Sequence, residues 1–230
     1  NAPHVIKKVY LAPDIHDREL LMILDKKNIP MDRLKRRGVS QKVGRDTAHQ
    51  GVIAVMDAPA LVIPFDQFMS RFSSDRHSCF TLLDELRDPH NVGAIIRSAA
   101  AFGCSGMLIP ERNQAPITGA VVKTSAGMVF RIPLIAIGNI NYTIRLLKER
   151  GFRIYGLAAK GSRDITKEQF DTPAVFIIGN EGEGIRSKTL ELCDANLSIP
   201  MHARAESLNA AVSAAVVLYQ WSIQHRDALR

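Results

Sequence analysis

The feature that most limits what this chain can fold into is a change of period that repeats from about residue 78 to the C-terminus. Short apolar runs with strand character (79–83, 106–109, 130–135, 153–157, 174–178 and 196–199) alternate with helical stretches (91–102, 116–125, 141–150, 186–193 and 207–224). Asn91 and Ser207 stand at expected N-caps, Pro116 at a helix start, and Gly103 and Gly151 just past helix ends. Strands interleaved with helices need crossover connections, so the alternation predicts an α/β fold: a parallel sheet covered on both faces.

Ahead of this region the same flavour appears in miniature, with a strand over 8–11, a helix over 16–27 and a strand over 52–56. Pro59, Pro64 and the polar run 70–76 read as connecting chain. The expected organisation is a small unit of residues 1–58, a linker of 59–77 and a larger unit of 78–230. The chain starts at Asn1 without an initiator Met, and we read it as trimmed.

Charge divides along the same line. The whole chain carries 30 Lys and Arg against 23 Asp and Glu, a formal +7. Its first 58 residues hold 11 basic against 7 acidic residues, over half of the excess. Arg33, Lys35, Arg36, Arg37, Lys42 and Arg45 crowd one stretch, which is either a solvated helix face and loop or a phosphate-contacting edge. The longest apolar run, 214–219, is far below the roughly 20 residues a bilayer span requires. Residues 1–13 show no signal-peptide core. Cys79, Cys104 and Cys193 are odd in number and far apart, which fits neither a disulfide framework nor a metal knuckle. We expect a cytoplasmic protein with no membrane contact and no metal.

Three segments follow predicted strands, the edge where open parallel sheets bind ligands. The first is Asn91-x-Gly93-x-x-x-Arg97, where Gly93 leaves room for a close approach and Arg97 stands on a face of small residues as a structural ion pair or an anion contact. The second, Gly179-Asn180-Glu181-Gly182-Glu183-Gly184, invites a dinucleotide reading, but its spacing is not G-x-G-x-x-G. Its two glutamates would also repel a pyrophosphate. Glycines with acids suit a cationic ligand that needs close backbone approach, and S-adenosylmethionine, a sulfonium, fits. The third segment joins Ile199-Pro200-Met201 to Ser207-Leu208-Asn209 and a helix dense in Ala and Ser; its polar residues can equally be plain helix caps.

Taken in order and spacing, the three segments resemble the motifs of the SpoU (TrmH) family of RNA ribose 2′-O-methyltransferases. The stretch His49-Gln50-Gly51-Val52-Ile53-Ala54 is similar to the close of the small domain in the subfamily that contains bacterial 23S rRNA guanosine 2′-O-methyltransferase. The resemblance covers nearly the whole chain, with the first strand and helix of the small domain missing. It implies a trefoil-knotted parallel-sheet domain preceded by a small L30e-like RNA-binding domain, a homodimer, and S-adenosylmethionine as cofactor. It assigns catalytic roles to Arg97, Asn91, Glu181, Ser207 and Asn209. It assigns cofactor contacts to Gly179, Asn180, Gly184, Ile199, Met201, Ser207 and Leu208. A guanidinium holds its proton above about pH 12 and is a poor free base. Arg97 is therefore expected to act with an RNA phosphate by stabilising charge, with Glu181 orienting Arg97 or Asn91. His90 is a weaker candidate base; His49 and His202 are expected at a domain junction and in a loop, and Cys104 and Cys193 in the core. The expected activity is methyl transfer to a ribose 2′-hydroxyl, most simply a guanosine of 23S rRNA. The alternatives are a tRNA ribose methyltransferase of the same family, a non-catalytic RNA-binding assembly factor, and a nicotinamide-dependent oxidoreductase, which the loop spacing disfavours.

Overall fold

The computed structural model describes residues 2–34, 49–158 and 163–229. Of the expected RNA-contacting residues, Lys35, Arg36, Arg37, Lys42 and Arg45 lie outside the described residues. Contacts divide the chain into two units, Asn1–Leu61 and Val62–Arg230.

The first unit is built from β1 (Ile6–Leu11), α1 (Arg18–Lys26), β2 (Met31–Arg33) and β3 (Val52–Met56). Asp17 starts α1 by accepting a hydrogen bond from the Leu20 amide at 3.0 Å. Val9, Leu24 and Ile29 form a small core, with Leu11, Leu20 and Val52 packed on it. The strands lie in the order β2-β1-β3. β2 runs parallel to β1, but β3 runs antiparallel, so this unit is not a reduced copy of the larger one. β2 escaped the sequence reading because Met-Asp-Arg has no strand alternation; its pairing with β1 makes it a strand. Arg33 is exposed in β2.

The second unit contains β4 (Val62–Pro64), α2 (Phe65–Met69), β5 (Cys79–Asp84), α3 (Pro89–Ala101), β6 (Gly106–Pro110), α4 (Gly119–Thr124), β7 (Leu134–Ile137), α5 (Ile140–Glu149), β8 (Arg153–Leu157), β9 (Arg163–Asp164), β10 (Ala174–Gly179), α6 (Ser187–Leu190), β11 (Ala195–Ser198) and α7 (Ala210–Gln224). These strands make one eight-stranded sheet in the order β4-β7-β6-β5-β10-β8-β11-β9. Every pairing in it is parallel. All six residues of β5 are buried, as a strand covered on both faces requires. On one face Phe80, Leu82, Leu108, Ile135, Val175 and Ile177 pack with Ile144 and Leu147 of α5 and Met69 of α2. Elsewhere in the unit α3 and α7 pack together, α7 also lies against β10, and Ile95, Ile96, Ala99, Ala214, Val217, Leu218 and Trp221 are buried.

Several boundaries differ from the sequence reading. Part of the expected linker joins the large sheet: Val62, Ile63 and Pro64 pair with Leu134, Ile135 and Ala136. An edge strand tolerates a proline because its missing N–H can face away from the ladder. β7 begins at Leu134 rather than 130, because Met128–Phe130 closes into a 3₁₀ turn. α3 begins at Pro89, and its cap is Asp88, whose carboxylate accepts from the His90 amide at 2.8 Å. Asn91 thus lies within the first turn and is not a cap. α7 is capped by Asn209, not Ser207; its Oδ1 accepts from the Ala211 and Val212 amides at 2.9 and 3.3 Å.

The strand order fixes where a ligand can sit. β5 has β6 on one side and β10 on the other, so the loops after β5 and β10 leave the same sheet edge and turn to different flanks. This is the crevice that open α/β sheets use for binding.

Candidate functional site

Three polar side chains from the three sequence segments form one hydrogen-bonded chain at that crevice. Asn209 Nδ2 donates to Asn91 Oδ1 at 3.0 Å, and Asn91 Nδ2 donates to Glu181 Oε1 at 3.0 Å. The two caps explain how these side chains meet. Capping by Asp88 frees Asn91 to face the β10 loop, and capping by Asn209 leaves its amide nitrogen aimed at Asn91. Glu181 also accepts from the amides of Asp88 and Arg87 at 3.3 and 3.4 Å. Partial burial pushes the Glu181 carboxyl up, but the hydrogen bonds from Asn91, Asp88 and Arg87 outweigh it and hold the group below its ordinary pKa. Glu181 is therefore a fixed carboxylate, oriented toward Asn91 and not toward Arg97.

The loop that carries Glu181 is folded by its own residues. Asn180 and Gly184 exchange backbone hydrogen bonds at 3.0 and 2.9 Å. Asn180 Oδ1 accepts from the Gly182 amide at 2.9 Å, and Asn180 Nδ2 donates to the Glu85 carbonyl at 2.8 Å. A Cβ on Gly179 would lie 2.3 Å from the Gly184 carbonyl carbon, so this glycine serves the doubling back of the chain. A Cβ on Gly93 would lie 2.7 Å from Thr124 Cβ, so the close approach expected at Gly93 comes from α4 and not from a ligand.

Beside this loop lies a cavity of about 420 Å³. Of the expected cofactor residues, Gly179, Asn180, Gly184, Ile199, Met201, Ser207 and Leu208 all line it, as does Glu181. The sequence reading missed Leu157 and Ala158 at the end of β8, and Ser198 and Ser213. Only their place at the carboxyl ends of strands or near a helix start could have pointed to them. Among the described residues no Lys or Arg lines the cavity, and the charged side chains that do are Glu181 and Glu183.

Arg97 stands apart. It is exposed on α3, does not line the cavity, and has no ion pair or hydrogen bond among the described residues. Six residues separate it from Asn91, which places it about 9 Å along the helix and about 240° around it. Ala94, one turn before it, borders a shallow apolar face with Ala211, Val212, Ala215, Val216 and Tyr219 of α7. His90 is exposed and its Nδ1 lies 3.4 Å from Thr124 Oγ1, away from the Asn91 chain. His49 and His202 accept amide hydrogen bonds within their own turns. Cys79 and Cys104 are buried with sulfurs 3.7 Å apart, and Cys193 is half-buried. Among the described residues no cluster of three or more His, Cys, Asp or Glu could hold a metal ion, and no helix is long and apolar enough to cross a membrane.

Beneath the crevice Asp84 is fully buried at the end of β5. Arg186 Nη2 lies 2.8 Å from Asp84 Oδ1 as an ion pair without hydrogen-bond alignment, and the Arg186 amide donates to Oδ2 at 3.1 Å. Burial pushes the Asp84 carboxyl above its ordinary range, against the opposing pull of Arg186.

Comparison with known proteins gives this geometry a context. Residues 78–219 match the sequence profile described as the SpoU rRNA Methylase family. A TrmH family tRNA/rRNA methyltransferase of Staphylococcus saprophyticus is 34% identical over 226 residues, covering 94% of this chain and 88% of the relative. A tRNA/rRNA methyltransferase of Mycobacterium avium is 39% identical over 77% of this chain, which spans 57% of that longer relative. Among solved structures, the SpoU methyltransferase AviRb of Streptomyces viridochromogenes, in complex with AdoMet, superposes with a TM-score of 0.82 at 24% identity, over 96% of this chain and 83% of that one. An rRNA methyltransferase of Sinorhizobium meliloti gives a TM-score of 0.79 at 23% identity, over 96% and 80%.

Proposed function

The chain belongs to the SpoU family of RNA methyltransferases, and on that premise we propose that it transfers a methyl group from S-adenosylmethionine to a ribose 2′-hydroxyl of RNA, in the first instance a guanosine of 23S rRNA. The observation that carries the reading is the Asn209–Asn91–Glu181 chain, which ties all three motif segments together at the rim of one cavity.

The cavity suits the cofactor. Its volume of about 420 Å³ falls in the range of small-molecule sites. Apolar Leu157, Leu197, Ile199 and Leu208 flank the backbone polar groups of Gly179–Gly184, and the carboxylates of Glu181 and Glu183, with no cation beside them among the described residues, favour a sulfonium over a phosphate-bearing nucleotide. When bound, S-adenosylmethionine supplies an electrophilic methyl group. The residues of this chain do the rest. Gly179, Asn180, Gly184, Ile199, Met201, Ser207 and Leu208 would hold the ligand, and Glu181, which also lines the cavity, is fixed in place by Asn91 and, through it, Asn209. Most of the barrier is then lowered by alignment. Arg97 meets an RNA phosphate and lowers the cost of charge on the ribose oxygen, whose proton passes to water as the carbon–sulfur bond breaks and the oxygen–methyl bond forms.

Arg97 reaches a site most simply across a dimer. α7 has no charged residue over Ala210–Gln224, yet Val212, Tyr219 and Ile223 are exposed. An uncharged helix with an apolar outer stripe fits a second copy of the chain. Ala94 lies on that border and Arg97 follows one turn later on the same helix, so in the homodimer Arg97 would serve the partner's cavity. Substitution Val212→Arg should then yield monomers and abolish activity. The return of α7 against β10 and α3 supports the trefoil-knotted topology. The small unit, with the L30e-like role and the basic residues Arg33, Lys35, Arg36, Arg37, Lys42 and Arg45, docks RNA in this reading. The chemistry of the site serves rRNA and tRNA equally; the basic small unit favours rRNA. Mass-spectrometric mapping of 2′-O-methyl sites in rRNA and tRNA from cells with and without the protein tests the proposal. Loss of one rRNA methylation supports it, and unchanged rRNA refutes it.

A further inference from the structure

Glu85 is the first residue after β5, and three loops meet on it. Its backbone is left-handed, with φ +61°. That is a conformation glycine adopts freely and a residue with a side chain adopts only under strain. The side chain and carbonyl make contacts that hold it there. Arg186 Nη1 donates to Glu85 Oε1 at 2.7 Å, linking it to the end of the β10 loop. Asn113 Nδ2 donates to the same oxygen at 3.3 Å, linking it to the loop after β6. The Glu85 carbonyl accepts from Asn180 Nδ2 at 2.8 Å, and Asn180 is the residue whose other side-chain atom folds the Gly182–Glu183 turn. The next residue continues the tie: Leu86 accepts the Ala115 amide at 2.8 Å, and its own amide donates to Gln114 Oε1 at 3.0 Å.

We propose that Glu85 is a positioning residue for the methyl transfer, coupling the cavity loop of residues 180–186 to the loop after β6 so that Glu181 meets Asn91 in a fixed place. This inference rests on the function proposed above. Two features separate it from a plain packing role. A left-handed turn alone would be better served by glycine, so the carboxylate is what the position retains. Arg186 also has a second acid, Asp84, and would stay paired without Glu85. What the Glu85 carboxylate adds is a shared acceptor for Arg186 and Asn113, which draws the guanidinium toward the β6 loop, while the backbone carbonyl of the same residue holds Asn180.

The test compares Glu85→Gly and Glu85→Gln with the wild-type chain in three measurements: thermal stability, S-adenosylmethionine affinity by calorimetry, and single-turnover methylation of rRNA at saturating cofactor. Glu85→Gly relieves the strained backbone while removing the carboxylate. We expect its melting temperature and cofactor affinity to stay near wild type while the methylation rate falls about tenfold or more. Glu85→Gln, which keeps an acceptor for Arg186 and Asn113, should recover part of the rate. A wild-type rate in Glu85→Gly overturns the proposal, and so does a loss of rate, affinity and stability together, which marks a structural role. Amide hydrogen exchange supplies an arm that needs neither cofactor nor RNA. In Glu85→Gly, exchange should quicken at 182–186 and at 113–115 together, and less so in Glu85→Gln; unchanged exchange at either loop in Glu85→Gly overturns the coupling. A wild-type protein that binds no S-adenosylmethionine would refute the function instead, while the exchange arm still decides whether Glu85 couples the loops.

Discussion

The two edges of the large sheet use their polar groups differently. At the carboxyl edge, Asp84, Glu85, Glu181 and Arg186 tie together loops that could otherwise move apart. At the amino edge the ion pairs Arg153–Glu168 and Lys148–Asp194 flank polar groups that pack against one another. Cys79 starts β5 with its sulfur against Cys104, and burial raises the Cys79 thiol well above its ordinary range. His77 Nδ1 lies 3.2 Å from His225 Nδ1 at the end of α7, and His225 stacks on Trp221 at 4.6 Å. One edge spends its polar groups on aiming side chains; the other uses them to close the structure. Substitutions at the first should therefore act on rate, and at the second on stability.

The largest expected effect tests the functional half of that contrast. Arg97→Ala removes the exposed cation from α3 and should slow methylation by about 10²–10³-fold, the range for losing one group aimed at developing charge. Melting temperature and cofactor affinity should hold, because Arg97 contacts neither the core nor the cavity. A large fall in melting temperature would break the comparison at its functional edge. An acceptor RNA with a 2′-deoxy target nucleotide should remain unmethylated by the wild-type protein.

Asp84→Ala probes the boundary between aiming and holding. It leaves the Arg186 amide without its acceptor and the Arg186 guanidinium with Glu85 alone, at a position where Asp84 is fully buried. Removing one member of a buried pair costs about 3–5 kcal/mol, but Arg186 is nearly half exposed, so about 2 kcal/mol is the reasonable expectation. Denaturant unfolding should show this loss, and the rate should fall with it. Gly93→Ala should cost about 1–3 kcal/mol by overpacking, since the new Cβ would lie 2.7 Å from Thr124 Cβ and 2.9 Å from the Val121 carbonyl oxygen. A neutral result there would mean that α4 can retreat from α3.

How much of this could be read from the sequence depended on whether a feature is local. The parallel sheet was legible because β5, β6, β8, β10 and β11 are apolar runs between helices, and each appears within two residues of its expected place. β4 and β2 were not, since three residues carry no period and only a partner strand makes them strands. The cavity lining was legible through motif order. The pairing of Glu181 with Asn91, and not with Arg97, was not legible, because it depends on Asp88 taking the cap that Asn91 was expected to fill. Gly93 and Gly179 illustrate the same limit. Each was read as room for a ligand, and in each the chain itself fills the space.

The smallest expected effect sharpens the structural half. Burial lowers the pKa of His225, aided by His77 and Arg76 and opposed by its link to Phe170 and the charge of Asp171. Its ring is thus neutral in the folded protein under conditions where an unfolded chain, with an ordinary histidine pKa near 6.5, begins to take up a proton. The sign follows from proton uptake. Above about pH 6.5 neither state binds the proton and stability is unaffected; below it the unfolded state gains a proton first, so stability declines until the folded ring also titrates. His225 Nε2 is buried without a hydrogen-bond partner, and its Nδ1 faces another histidine, so a proton there meets no acid within hydrogen-bond reach. Unfolding free energy should therefore fall as the pH drops below about 6.5, and His225→Phe should flatten that slope. Because the pair lies at the amino edge, the same variant should leave the methylation rate near wild type. A rate that followed the stability loss would show that the two edges of the sheet are coupled.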